Sequence, residues 1–280
     1  MRYHFKFITA CTVLLFTFAA CNNDSETPSP KDKKILVTRM EVNPIYILEG
    51  MEEYLHVAAH DITEMKYDAQ GRLIEWWSNG EYAGGYTYTD GKILATDIPD
   101  EGSFEHILSP SGQVIETHYA DGTSDKLSYD DAGRCIAINE NVDSSNRWNH
   151  TLFHWTDTDM TCAEYLVPED PSEIRVSYTD IPKKGNAPYL RALQLFTGGY
   201  WQNLEVSGHL NISSDKYLPE KGIVNWSSDG YVQIYEATYD LNADGSVKTM
   251  HITLNDGYPD SEYDMRLVYE GEVTFNYIEL

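Results

Sequence analysis

The chain has 280 residues, with 45 Asp and Glu against 20 Lys and Arg, for a formal net charge of −25. That sign repels phosphate backbones and anionic headgroups, which argues against nucleic acid and peripheral membrane binding as roles. The length suffices for a real core, and all-β folds often use it as one domain.

The first element is an address. Arg2 and Lys6 precede an apolar run from Phe7 to Phe18, followed by Ala19-Ala20-Cys21. A basic start, a short apolar stretch and small residues before a cut describe a secretory signal over residues 1–20, too short for an ordinary membrane span. Cys21 after Ala19-Ala20 resembles a bacterial lipobox, which implies acylation at Cys21 and a membrane attachment through acyl chains alone. Residues 21–33 are polar, punctuated by Pro28 and Pro30 and without periodicity, and read as a flexible tether. Its acidic residues resemble the surface-export signal of Bacteroidetes lipoproteins. That implies an outer-membrane lipoprotein exposed at the cell surface; a periplasm-facing one is the alternative.

Residues 34–280 read as a single all-β domain with an internal repeat. Gly71, Gly91, Gly112 and Gly133 lie 20, 21 and 21 residues apart, and each opens one pattern: Gly-Arg-Leu-Ile, Gly-Lys-Ile-Leu, Gly-Gln-Val-Ile, Gly-Arg-Cys-Ile. Turn formers precede each glycine, and glycine supplies positive φ in a tight hairpin. Alternating stretches such as Tyr86-Thr87-Tyr88-Thr89 flank the turns, so each period holds two short strands. The pattern weakens through 140–165 and returns at Tyr239 to Val247. Tyr231, Gln233, Tyr235, Ala237 and Tyr239 fall on one face, as do Met265, Leu267 and Tyr269. Only Pro188 to Phe196 has helical spacing. The expected fold is an antiparallel hairpin meander, strongly curved or barrel-like, with at most one short helix.

Tyr67-Asp68-Ala69-Gln70-Gly71-Arg72-Leu73 and Tyr129-Asp130-Asp131-Ala132-Gly133-Arg134 resemble the YD repeat of Rhs-type surface proteins. With the lipoprotein signal, the chain resembles a family of Bacteroidetes lipoproteins of unknown function described as porin-like in fold. The resemblance covers roughly residues 60–165 and 230–270. It implies a meander that curls into an open or closed barrel, not a pore, and it supplies no catalytic residue. A membrane barrel needs apolar lipid-facing bands on strands of about 9–11 residues. These strands read as shorter and charged on their polar faces.

Candidate chemistry is sparse. Asp240, Asn242 and Asp244, with Gly245, match the first half of a calcium loop, but the twelfth position is His251 in place of a bidentate Glu. The segment also reads as an acidic hairpin turn. His56 and His60 share a face but lack the Glu of a zinc-protease motif. Cys135 and Cys162 could form a disulfide or stay as thiols. With 45 acids, carboxylate pairs arise by chance, and no nucleophile elbow or phosphate-binding glycine loop is present. Trp76, Trp77, Trp148, Trp155, Trp201 and Trp226 stand beside polar or turn residues, where flat faces suit sugar rings or protein partners. Packing between strands is the competing role for them. Adjacent Trp76 and Trp77 must point to opposite faces of a strand. The expected function is a non-enzymatic binding or structural module for extracellular glycan or protein. A polysaccharide hydrolase with a carboxylate pair is the alternative.

Overall fold

A computed structural model describes residues 34–51, 60–98, 102–141, 148–166, 171–192, 204–212, 216–226, 230–259 and 265–280. The strands are β1 (Ile35–Ile47), β2 (Asp61–Tyr67), β3 (Leu73–Ser78), β4 (Glu81–Thr89), β5 (Lys92–Ile98), β6 (Gly102–Leu108), β7 (Val114–Tyr119) and β8 (Ser124–Tyr129). They continue as β9 (Cys135–Asn141), β10 (Trp148–Trp155), β11 (Met160–Leu166), β12 (Ser172–Pro182), β13 (Tyr217–Trp226), β14 (Val232–Leu241), β15 (Val247–Gly257) and β16 (Arg266–Glu279). Every neighbour pairs antiparallel, and β1 pairs with β16, so the meander closes into a sixteen-stranded barrel. Closure removes both exposed sheet edges.

The repeat glycines make the turns at one end of this barrel. In the hairpin between β2 and β3, Asp68 Oδ1 accepts the N–H groups of Gln70 and Arg72, both at 2.9 Å, and Oδ2 accepts Arg72 Nε at 2.7 Å. Gly71 takes φ +77°, where L side chains are strained. Asp130, Ala132, Gly133 and Arg134 repeat the arrangement between β8 and β9.

A tyrosine near the end of each of five strands forms a belt, and Tyr67, Tyr129 and Tyr239 stand directly before an Asp. Tyr67 donates its hydroxyl to Val37 O at 2.7 Å, Tyr88 to Leu73 O at 2.8 Å, Tyr129 to Val114 O at 2.6 Å and Tyr178 to Met160 O at 2.7 Å. Tyr239 donates likewise to Pro219 O. Each ring reaches inward from the end of one strand and ties the start of the strand before it. Trp155 takes the tyrosine's place on β10, its Nε1 donating to Cys135 O at 2.8 Å. The repeat therefore continues through the stretch where its sequence signature fades.

Sixteen strands enclose more space than wall side chains alone fill. The connection from β12 to β13 supplies the filling at the turn end. It carries the short helix α1 (Tyr189–Ala192), and Ala187, Leu190, Leu204, Val206, Leu210 and Ile212 join the inward-facing core. Register bulges open the starts of β1, β7 and β9. There Val37 N donates to Asn186 Oδ1 at 2.7 Å, Val114 N to His209 O at 3.1 Å and Cys135 N to Asn211 O at 2.9 Å. We call this the plugged end, and Lys34 enters β1 here, paired with Leu280.

Several expectations need correction. Helix α1 covers only part of Pro188 to Phe196, and residues 193–196 lie outside those described. Met265, Leu267 and Tyr269 do not share a face. A bulge in the β15–β16 register leaves Leu267 exposed and buries Val268 with Tyr269. Strand length separates this barrel from a membrane barrel only in part: β2, β3 and β5 to β11 have six to eight residues, as expected, whereas β1 has 13 and β16 has 14. The outer face does separate them. Arg39–Glu64, Lys66–Glu75, Lys92–Glu105 and Lys221–Glu236 lie outward on the wall at 2.8 to 3.3 Å. A lipid-facing wall would bury such cations at roughly 2–4 kcal/mol each near the midplane. These ion pairs argue for a wall that faces water, although Leu94, Ile115, Ile136 and Leu267 are also exposed on it.

Candidate functional site

The end opposite the plug carries a different set of inward side chains. Along β6 to β9 the alternation that buries Leu127 and Ile138 also turns Asp125 and Glu140 inward, directly opposite each other. Tyr119 donates its hydroxyl to Asp125 Oδ2 at 2.5 Å, and His106 Nδ1 lies 2.8 Å from Thr117 Oγ1. Phe104 stands edge-on to His106 at 5.1 Å and tilted to Tyr119 at 5.6 Å. Burial, then the Asp125 charge, pushes the Glu140 carboxyl up to about 7. His106 borders the plug: burial, then the neighbouring His209, push it down to about 3, so its imidazole is neutral. On β11, Tyr165 faces the same interior, and burial followed by the Glu140 charge raises its phenol.

A further buried carboxyl lies on the C-terminal strands of this end. Asp256 on β15 is 1 % exposed, accepts the Tyr231 hydroxyl and takes Arg266 Nε at 3.3 Å. Gln233 and Tyr235 follow on β14, joined at 3.3 Å. Trp226, paired with Ser172, and Trp76, paired with Gly84, also lie on inward positions of this end. A Cβ at Gly84 would meet Trp76 Nε1 at 2.7 Å, so only glycine fits beneath that indole. Aromatic faces with a few aimed acceptors are the usual chemistry of a small-ligand site. Here the rings suit the apolar face of a sugar, and the carboxyls suit its hydroxyls.

The six tryptophans therefore divide. Trp76 and Trp226 belong to this end. Trp77 points outward, under Lys66 Nζ at 4.6 Å and against Tyr82 at 5.6 Å, as the opposite-face argument requires. Trp155 is part of the tyrosine belt, with Arg134 over its ring at 5.4 Å. The side chain of Trp148, and the whole of Trp201, His56 and Cys21, lie outside the described residues.

Asp240, Asn242 and Asp244 lie in the β14–β15 hairpin, engaged by the chain itself. Asp244 Oδ1 accepts Ser246 N at 2.9 Å and Oγ at 2.7 Å, while Asp240 faces His251 at 3.2 Å. His60 pairs with Glu41 at 3.0 Å. Cys135 and Cys162 are free thiols and make no disulfide. Cys135 points into the core from β9, whereas Cys162 lies on the outer face of β11, beside inward Ala163. Sequence reasoning passed over Tyr119, Asp125, Glu140, Tyr165 and Asp256. The signal was available, because Asp125 shares the phase of Leu127 and Tyr129, and Glu140 that of Ile138.

No known family's sequence pattern matches the chain, and no curated protein matches it. Solved structures do. A porin-like protein from Bacteroides uniformis matches with a TM-score of 0.63 at 14% identity, over 86% of this chain and 96% of that one. A porin-like protein from Bacteroides vulgatus matches with a TM-score of 0.56, also at 14% identity, over 88% and 99%. The chain has the porin-like fold. At this identity the likeness concerns architecture, and the residues at the far end must argue for themselves.

Proposed function

We propose that the chain is a lipid-anchored envelope protein that recognises an extracellular glycan at the far end of its barrel. One observation carries this reading: Trp76, Tyr119, Tyr165 and Trp226 share an inward ring with the carboxyls of Asp125, Glu140 and Asp256. The tether meets the barrel at Lys34, on the plugged end, which leaves the far end for a ligand. A water-facing wall supports anchoring through Cys21 in place of spanning.

Affinity electrophoresis through gels cast with bacterial and plant polysaccharides tests the binding. The wild type is expected to be retarded by at least one polysaccharide, Trp226→Ala and Trp76→Ala are expected to lose that retardation, and Trp77→Ala is expected to keep it. Unchanged retardation in Trp226→Ala and Trp76→Ala would remove the site. Protease shaving of intact cells tests the address, with cleavage of the wild type expected and Cys21→Ala serving as the unanchored control.

The Asp125–Glu140 pair, with one carboxyl near 7, favours a second reading: a polysaccharide hydrolase. Release of reducing ends that disappears in Glu140→Gln would move the protein to that class.

A further inference from the structure

On the outer wall, three side chains from β11 and β12 converge. Cys162 Sγ and one oxygen each of Glu164 and Glu173 all lie within 4.8 Å of one another. His154 on β10 is the register partner of Cys162, and its Nε2 stands 3.2 Å from Glu164 Oε1. The alternation accounts for the grouping, because Phe153, Ala163 and Ile174 point inward and push their neighbours out.

The charge arrangement here departs from the rest of the wall. Elsewhere the register sets opposite charges across from each other, as in Arg39–Glu64, Lys66–Glu75, Glu116–Lys126 and Lys221–Glu236. At this point Glu164 stands directly opposite Glu173. Like charges so placed destabilise a strand pair unless a cation lies between them. Arg175 meets part of that need, holding Glu173 through Nε and a terminal nitrogen. Among the described residues Glu164 is paired with the imidazole of His154 alone.

We propose that Cys162, Glu164, Glu173 and His154 form a surface site for a transition-metal ion, with zinc the ion that this donor set suits best. Sulfur, imidazole and carboxylate donors together select zinc and its neighbours over calcium or magnesium, which take oxygen alone. Binding exchanges the Cys162 proton, released to solvent, for the Sγ–metal bond, and turns Arg175 away from Glu173. The site lies on the outside of the wall and is independent of glycan recognition inside it.

Titration of the full chain with cobalt(II), followed through thiolate-to-cobalt absorption in the near ultraviolet, tests the proposal. The band is expected in the wild type and in Cys135→Ser and Cys21→Ser, to be abolished by added zinc, and to be absent from Cys162→Ser. His154→Ala and Glu173→Gln are expected to weaken cobalt binding by about tenfold or more, and Arg175→Gln, which frees Glu173, to tighten it. Circular dichroism confirms that each variant keeps its strands, and the half-buried, near-isosteric Glu173→Gln serves if Cys162→Ser does not fold. No band in the wild type, or a band that survives Cys162→Ser or is indifferent to Glu173→Gln, overturns the site.

Discussion

The two ends of the barrel treat polar atoms in opposite ways. At the plugged end every belt hydroxyl from Tyr67 to Tyr239 described above meets a backbone carbonyl, and Asp68 and Asp130 accept the N–H groups of their own turns. At the far end carboxyl faces carboxyl, and Glu140 is driven toward its neutral form. A fully matched network stabilises and specifies the fold, whereas a strained one is retained where something is to be bound. On the proposed reading, stability and recognition separate along the barrel axis.

The sharpest way to break this contrast is to truncate the belt. Tyr129→Ala removes a ring that ties the end of β8 to the start of β7, and its expected loss is about 3–5 kcal/mol in urea unfolding. Trp226→Ala, half-buried at the far end, is expected to lose less than half as much. If the far-end change costs more, the division of labour is wrong. Glu140 comes next. Its folded value of about 7 lies above its ordinary 4.5, so the folded state holds the proton more tightly, and stability falls as pH rises between those values. Glu140→Gln is expected to remove that slope and to gain up to about 3 kcal/mol at pH 8, with little change at pH 4. His106 acts in the other direction: its folded value near 3 lies below the ordinary 6.5, so it removes stability as pH falls through that window. A pH series of unfolding midpoints for Glu140→Gln against wild type separates the two contributions. Asp130→Ala, which deprives Ala132 N and Arg134 of their acceptor, is expected to lose about 1 kcal/mol. The outer wall ranks last: Lys221→Ala is expected to change stability by no more than about 0.5 kcal/mol, read from the same curves.

The plugged end was the more legible half. Period-21 glycines with Asp before them dictate hairpins, because local hydrogen bonding and positive φ fix those turns without reference to the rest of the chain. The tyrosine of each repeat was visible as a letter but not as a function, since its partner carbonyl lies on the preceding strand. Trp155 was misread for the same reason: an aromatic beside a turn looks like a binding residue until the strand behind it is in place. Closure and the plug were out of reach, because both depend on pairings between distant segments, Ile35 with Glu279 and Asn186 with Val37. At the far end the acids were hidden by their number. Only the inward phase of Asp125 and Glu140 distinguishes them from the many carboxylates facing water.

The reading most open to test is that the barrel wall, with its ion pairs and scattered exposed apolar residues such as Leu94, Ile136 and Leu267, faces water. Production of residues 22–280 without the signal or Cys21, followed by size-exclusion chromatography and circular dichroism in detergent-free buffer, tests it most directly. The expected result is a discrete, β-rich species that unfolds cooperatively. Aggregation in buffer, with strands recovered only in detergent micelles, would contradict the account and return the wall to the lipid.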